Sequence, residues 1–116
     1  MLHIAQKQFN YKSRAASDTA RYMAALVKVD EQILAIAGRN LRSVSSHNLS
    51  SNTWGVNLPP VNKARSAAAA CFLSGQVYVF AGRNDEGKTF LNSIEKITAT
   101  SLVSNGTGIW QFIQVL

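Results

Sequence analysis

Short apolar runs that end in glycine recur along this chain. Residues 33–37 read Ile-Leu-Ala-Ile-Ala and precede Gly38, and residues 77–81 read Val-Tyr-Val-Phe-Ala and precede Gly82. Each run follows turn residues, and the second run is rich in β-branched and aromatic residues. Runs with these properties are typical of buried strands. The pattern predicts two equivalent strands whose positions differ by 44 (33 to 77).

The segments before these two strands are rich in alanine and fit two interpretations. Residues 22–29 and 66–73 have the propensity to form helices, and Ser17-Asp18 would cap the first of them. Two helix–strand units would give a small α/β domain. If both segments are strands, each unit holds a strand, a tight turn, a second strand and a glycine, which accounts for more of the pattern. The sequence therefore predicts an all-β fold, with the α/β domain as the alternative.

Further residues repeat at the same offset. Arg21 matches Arg65, and residues 37–40 (Ala-Gly-Arg-Asn) recur at residues 81–84. Repeats of about 20 to 50 residues indicate stacked supersecondary units, as in solenoids and propellers. The two units are therefore expected to pack side by side.

The second unit is longer than the first. Trp54 and Trp110 hold matching places near the ends of the two units but lie 56 positions apart (54 to 110), so the second unit has gained twelve residues. Six of them fall between Asn84 and Ser93, and the other six fall around residues 104–108. Both stretches are rich in turn residues, where repeat folds tolerate insertions.

The charge balance favours acidic partners. Twelve Lys and Arg against six Asp and Glu give a net charge of +6, and the basic residues are spread along the chain without a Lys/Arg run. Such a surface attracts an acidic peptide, an acidic protein surface or nucleic acid.

The cysteine content and the apolar runs of the sequence indicate the cellular compartment of the protein. Cys71 is the only cysteine of the sequence, which excludes an intrachain disulfide, and its apolar neighbours predict a buried side chain. The longest apolar run, residues 67–73, is too short to span a bilayer. No signal-type apolar core follows Met1. We therefore expect a cytoplasmic protein that does not enter the membrane.

Residue patterns that carry catalysis are weak in this sequence. His3 and His47 are far apart and have no cysteine nearby, and the acidic residues come mostly as turn pairs, Asp30-Glu31 and Asp85-Glu86. The sequence contains neither a Gly-x-Ser-x-Gly motif nor a P-loop. We expect no enzyme activity, no metal site and no cofactor.

Taken in order, the repeated features resemble the Kelch repeat family of β-propellers. In a Kelch repeat an arginine opens a small-apolar inner strand, and a turn leads to an apolar-aromatic strand that ends in a glycine doublet. A third strand follows, and a fourth carries a tryptophan. The first unit follows that order from Arg21 to Trp54, and the second unit follows it from Arg65 to Trp110.

Two departures from the Kelch pattern suggest degenerate repeats. The glycine doublet is Ala-Gly in both units, at residues 37–38 and 81–82. The aromatic residue that is usual in the third strand is missing, and His47 and Ile97 stand near its place.

The resemblance implies a partial Kelch-type β-propeller of about two four-stranded antiparallel blades. Residues 21–64 would form the first repeat and residues 65–116 the second, after an N-terminal segment, residues 1–20, that would include the last strand of a preceding blade. Phe9 or Tyr11 would lie on that strand. Propellers close with about four to eight blades. Ring closure is therefore expected to require further blades, either from self-association or from missing sequence.

The resemblance also implies a set of partner-binding residues. In Kelch propellers the loop after the second strand lies on the face where partners dock, and some Kelch substrate adaptors use arginines to hold acidic peptides. Arginines that open the inner strand face the binding cavity in some Kelch proteins and pair structurally between blades in others. The candidates are Arg21, Arg39, Asn40, Arg65, Arg83 and Asn84. The two tryptophans are expected to pack between blades.

Together these observations lead to a functional hypothesis. The chain is interpreted as a non-catalytic protein–protein interaction module that docks acidic segments, as a substrate adaptor or a scaffold. The alternative is a small basic domain that binds RNA or belongs to a ribonucleoprotein, since a net positive charge also suits phosphates.

Overall fold

The computed structural model describes Arg21 and residues 23–84, 88–102 and 106–113. This part of the chain forms two four-stranded antiparallel sheets and a two-stranded ribbon, and it contains no helix long and apolar enough to cross a bilayer. The all-β prediction is confirmed. The expected N-terminal strand, with Phe9 or Tyr11, lies outside the described residues. The strands are β1 (Ala25–Val29), β2 (Gln32–Gly38), β3 (Leu41–Asn48), β4 (Thr53–Leu58), β5 (Ala69–Leu73), β6 (Gln76–Phe80), β7 (Arg83–Asn84), β8 (Thr89–Phe90), β9 (Ile94–Thr98) and β10 (Gln111–Ile113).

The two sheets have the same strand order. The first sheet is ordered β1-β2-β3-β4, and the second sheet, read from its inner edge, is ordered β5-β6-β9-β10. Equivalent strands pair in equivalent register, because Ile36 lies opposite Val44 in the first sheet and Phe80 lies opposite Ile94 in the second. The register reproduces the offset of 44 before the first insertion and the offset of 50 (44 to 94) after it. The ribbon, β7 and β8, lies at that insertion.

The α/β alternative is wrong, because both alanine-rich segments are strands. Ala25 pairs with Ile36 in the first sheet, and Ala69 pairs with Phe80 in the second. The helix propensity of alanine exceeds that of other ordinary residues by less than about 1 kcal/mol per residue. Here β1 and β5 lie against each other, and small side chains allow that close approach of the two sheets. Tertiary packing therefore outweighs the local helix propensity.

Left-handed backbone recurs at the same offset in both units. Three pairs of residues 44 positions apart have φ between 50° and 62°, namely Met23 with Ala67, Asp30 with Ser74, and Ala37 with Ala81. Few residues other than glycine adopt this region. The Ala-Gly doublets thus keep the backbone conformation of a glycine doublet. At Gly82, where φ is +88°, an added Cβ would come within 2.8 Å of the Ser66 carbonyl oxygen.

The hydrophobic core lies between the two sheets. Leu34 and Ile36 from the first sheet and Val77 and Val79 from the second are all fully buried in one cluster. Trp110 joins the same cluster with 2% of its surface exposed, so it packs between the sheets. Trp54 is half-buried, and its ring lies 5.0 Å from the ring of His47.

The linker between the sheets, residues 59–64, is tied to both of them. The amide of Val61 donates to the carbonyl of Arg42 in β3 at 2.9 Å, and Arg42 Nε donates back to the carbonyl of Val61 at 2.9 Å. On the other side, Trp110 Nε1 donates to the carbonyl of Pro59 at 2.9 Å, and the Asn62 side chain donates to the carbonyl of Trp110 at 2.8 Å. The linker is therefore part of the interface between the two sheets.

One face of the second sheet is open. Cross-strand register places Ala69, Cys71, Leu73, Tyr78, Phe80 and Ile94 on this open face. Leu73 is 62% exposed, whereas its equivalent in the first sheet, Val29, is 1% exposed because the second sheet covers it. Cys71 is exposed on the same face, so the prediction of a buried thiol is wrong. Its apolar neighbours form a surface that this part of the chain leaves uncovered.

Candidate binding site

A cavity of about 660 Å³ opens at one end of the two sheets. Arg39 follows β2 in the first sheet, and Arg83 follows the equivalent strand, β6, in the second. Both arginines line this cavity, so the fold brings together two candidates that are 44 positions apart in the sequence. The described lining residues are Met23, Arg39, Ser66, Ala67, Ala81, Gly82, Arg83, Phe90 and Leu91.

The backbone beneath these two arginines is held by hydrogen bonds. Ser66 and Arg83 exchange two backbone hydrogen bonds of 2.9 Å each, and the amide of Leu91 donates to the carbonyl of Gly82 at 2.8 Å. On the other side, the amide of Gly38, next to Arg39, donates to the carbonyl of Arg65 at 2.8 Å. Both side chains are exposed at the ends of these anchored segments. The site therefore consists of two guanidinium groups that extend from backbone segments held in place by hydrogen bonds.

The charged side chains among the described lining residues of the cavity are all positive. Arg39 and Arg83 are the charged members of that lining, and it holds no carboxylate. Guanidinium groups remain charged at any physiological pH and present donors in a planar fork that matches a carboxylate. The described residues hold no group of three or more metal-ligating side chains.

The ribbon adds an aromatic residue that sequence reasoning missed. Phe90 lies directly opposite Arg83 in the pairing of β7 and β8, and 87% of its surface is exposed. The available signal was the six-residue insertion, because insertions at a partner-facing loop often carry function. The sequence alone did not indicate which inserted residue would face the cavity.

The two asparagine candidates lie beside the cavity and do not line it. Asn40 is exposed in the turn between β2 and β3, with φ of 60°, a conformation that asparagine tolerates well. Asn84 is half-buried in β7, where it pairs with Thr89. Their positions fit turn and ribbon geometry, and their partner-binding role stays a prediction.

Arg21 and Arg65 precede the first strand of each sheet, and their side chains are bonded in the same manner. Arg65 Nη1 donates to the carbonyls of Ala81 at 2.9 Å and Ser93 at 3.0 Å, and Nη2 donates to Ser93 Oγ at 2.8 Å. Arg21 Nη1 donates to the equivalent carbonyls, of Ala37 at 2.7 Å and Ser43 at 2.8 Å. Each arginine thus connects the end of the second strand to the start of the third strand through hydrogen bonds.

Glu95 is a second residue that sequence reasoning missed. It is fully buried and forms a salt bridge of 3.0 Å with the fully buried Arg65. Its Oε1 also accepts the amide of Asn62 at 2.6 Å, and its Oε2 accepts the amide of Lys63 at 3.2 Å. In the first sheet the equivalent position is Ser45, whose Oγ accepts Arg21 Nη2 at 2.8 Å. The second unit therefore balances its buried arginine with a carboxylate.

The family comparison matches the second of these units. The model of the Kelch motif matches residues 64–98, which begin beside Arg65 and end with β9. Residues 64–98 are a Kelch motif. Kelch-like protein 35 of Mus musculus is 34% identical to the chain over 77 residues, which cover 63% of this chain and 13% of that protein. The chain thus matches a small part of a much longer curated relative.

The first unit shares the strand order of the matched Kelch motif. It lies outside the residues matched by the motif model, yet its four strands have the same order as those of the matched unit. Its opening arginine makes the same pair of carbonyl contacts as Arg65. His47 and Ile97, the residues in place of the usual third-strand aromatic, are both buried, at 1% and 3% exposed.

Proposed function

We propose that this chain is a non-catalytic protein-interaction module whose paired Kelch sheets dock an acidic segment of a partner protein. The observation that carries the proposal is the convergence of Arg39 and Arg83, from equivalent loops of two repeats, on one cavity. A single exposed arginine after a strand is ordinary. Two of them on the same concave surface form a site for a carboxylate.

The chemistry of the two arginines supports this assignment. Hydrogen bonds between guanidinium and carboxylate are charge-assisted and often bidentate, and they contribute more than neutral hydrogen bonds. The net charge of +6 attracts acidic partners over longer distances. Arg21 and Arg65 have a supporting role in this proposal, because their side chains bond to the backbone carbonyls that precede the cavity loops.

The open face of the second sheet supports a place for this module in a larger ring. In the first sheet the equivalent face is covered by the next repeat, as the exposures of Val29 and Leu73 demonstrate. A further Kelch blade would cover the open face in the same way. That blade would come from another copy of the chain or from additional sequence. Within such a ring the module would act in the cytoplasm as a substrate adaptor or a scaffold.

The protein partner is favoured over RNA. Proteins that bind single-stranded nucleic acids stack bases on exposed aromatic rings next to basic residues. Trp110 is 2% exposed, and Trp54 is half-buried against His47, so neither tryptophan offers a free face of that kind. Phe90 is exposed beside Arg83, but it is a single ring, whereas such proteins stack successive bases on several rings.

A peptide-binding measurement with charge-matched variants tests the proposal. The probe is a fluorescein-labelled peptide with three glutamates in a Gly-Ser background, and binding is followed by fluorescence anisotropy. Arg39→Gln and Arg83→Gln should each weaken binding by about tenfold, since a charged hydrogen bond contributes about 1.5–3 kcal/mol. The control is Lys28→Gln, which removes one positive charge from a strand outside the cavity.

The control separates a site from general attraction between charges. Lys28→Gln should change the affinity by less than about twofold, because exposed charges at a distance are screened by salt. Equal losses in all three variants, or equal affinity for a peptide with glutamines in place of the glutamates, would contradict a carboxylate site at this cavity.

A further inference from the structure

The ribbon places a ring and a cation side by side at the cavity. Arg83 and Phe90 are directly opposed cross-strand partners, so their side chains leave the same face of the ribbon with Cβ atoms about 5 Å apart. Both residues line the cavity. A ligand group that contacts the guanidinium of Arg83 therefore has its neighbouring group within reach of the phenyl ring.

Phe90 is mostly exposed to solvent in the described structure. Its exposed fraction of 87% is the highest among the exposed large apolar side chains of the described residues. Met23, on the same lining, is 50% exposed. Exposed apolar surface that is concentrated in a concave site next to polar groups is typical of binding sites. Covering these side chains would release free energy that the arginines alone do not supply.

The ring is present because of the insertion in the second repeat. In the first repeat the chain turns directly from Arg39 and Asn40 into β3. In the second repeat a ribbon that begins at Arg83 precedes β9, and Phe90 is its last strand residue. The first repeat thus contributes a cation to the cavity, and the second contributes a cation with an aromatic neighbour.

We infer that the cavity selects acidic segments in which an aromatic or large aliphatic residue directly neighbours a carboxylate. The inference rests on the proposed function and names its ligand class. The carboxylate binds Arg39 and Arg83, and the apolar neighbour packs on Phe90 and Met23. Phe90 is the residue that determines this specificity, and a purely acidic segment binds more weakly.

Three peptides and two phenylalanine variants of the full chain test this inference. The fluorescein-labelled peptides share a Gly-Ser background and carry Glu-Phe-Glu, Glu-Ala-Glu or Gln-Phe-Gln at the centre. Glu-Phe-Glu should bind about tenfold more tightly than Glu-Ala-Glu, because burial of the phenyl ring on Phe90 and Met23 removes apolar surface from water. Phe90→Ala should abolish that difference. Phe112→Ala should keep it, because Phe112 is also exposed but lies on β10, outside the cavity lining.

The outcomes distinguish this inference from the function on which it rests. Equal binding of Glu-Phe-Glu and Glu-Ala-Glu, with Gln-Phe-Gln weaker, would overturn the apolar preference and leave the acidic docking site in place. A preference that survives Phe90→Ala would also overturn the role of this ring. If Gln-Phe-Gln binds as tightly as Glu-Phe-Glu, the acidic docking proposal itself fails, and the inference fails with it.

Discussion

At the scale of single residues, the equivalent arginines of the two units differ in burial and in electrostatic setting. Arg65 is fully buried and shares a salt bridge with Glu95, whereas the equivalent Arg21 is half-buried and bonds to hydroxyl groups of Ser43 and Ser45. A buried charge is costly unless it is paired and hydrogen-bonded. In the second unit the carboxylate fulfils that requirement, and it also accepts two backbone amides of the linker. One side chain therefore stabilises both the sheet and its connection to the first sheet.

Neutralising Glu95 should destabilise the fold strongly. Glu95→Gln leaves Arg65 without its counter-charge in a fully buried position, and removal of one partner from a buried ion pair costs about 3–5 kcal/mol. The free energy of unfolding, from urea denaturation followed by circular dichroism, should fall by about that amount. Glu31→Gln, at an exposed turn, serves as the control and should change the stability by less than about 0.5 kcal/mol. Similar small losses in both variants would mean that the pair contributes little.

Sequence reasoning reached some of these residues and missed others for a physical reason. Arg65 was identifiable because it repeats Arg21 at a fixed offset. Glu95 has no acidic counterpart at Ser45, and its partners lie 30 to 33 positions away, so only the folded sheet brings them together. Phe90 was hidden for a related reason, because its placement depends on the pairing of β7 with β8.

At the scale of elements, the two sheets have the same strand order and register, but their faces have different neighbours. Val29 at the end of β1 and Leu73 at the end of β5 are equivalent, but the first is 1% exposed and the second is 62% exposed. The apolar pattern alone predicts two buried strands, since β5 reads as apolar as β1. Burial of β5 depends on a neighbour that the described residues do not supply. The strand type was thus predictable from the pattern, and the exposure was not.

Matched charge substitutions at these two positions should have opposite consequences. Val29→Asp places a charge in the core between the sheets and should lower the free energy of unfolding by at least about 3 kcal/mol. Leu73→Asp places the same charge on the open face and should cost less than about 1 kcal/mol. Thermal and urea unfolding of the two variants give this comparison directly. A large loss in Leu73→Asp would indicate that the open face is covered in solution.

At the scale of the whole molecule, three of the four faces of the two sheets are buried. In the first sheet, Ile33 and His47 on one side are 5% and 1% exposed, and Leu34 on the other side is fully buried. The second sheet is buried on the side of Val77 and open on the side of Tyr78 and Leu73. The sequence predicted that ring closure requires further blades, because two repeats are too few for a ring. The open face of the second sheet is where a further blade would pack.

The thiol of Cys71 reports whether this open face acquires a neighbour. Cys71 is the only cysteine of the chain and is exposed, so it should react with Ellman's reagent in the folded protein. A copy of the second repeat appended to the C-terminus should slow that reaction by at least about tenfold, because the thiol then reacts only after local opening. Light scattering would verify that the extended chain is a monomer. Unchanged reactivity in a folded, extended monomer would contradict the packing of a further blade on this face.

The linker between the sheets has a consequence for how such repeats multiply in evolution. Arg65 opens the second repeat in sequence, but the backbone-amide donors to Glu95 and the acceptor for Trp110 Nε1 lie earlier, at Asn62, Lys63 and Pro59. A gene duplication that began at Arg65 would copy the carboxylate and the indole without these partners. A duplicated segment that keeps these partners therefore begins at Pro59. Recombination points that respect this boundary should yield foldable tandem copies more often than points placed at the repeat arginine.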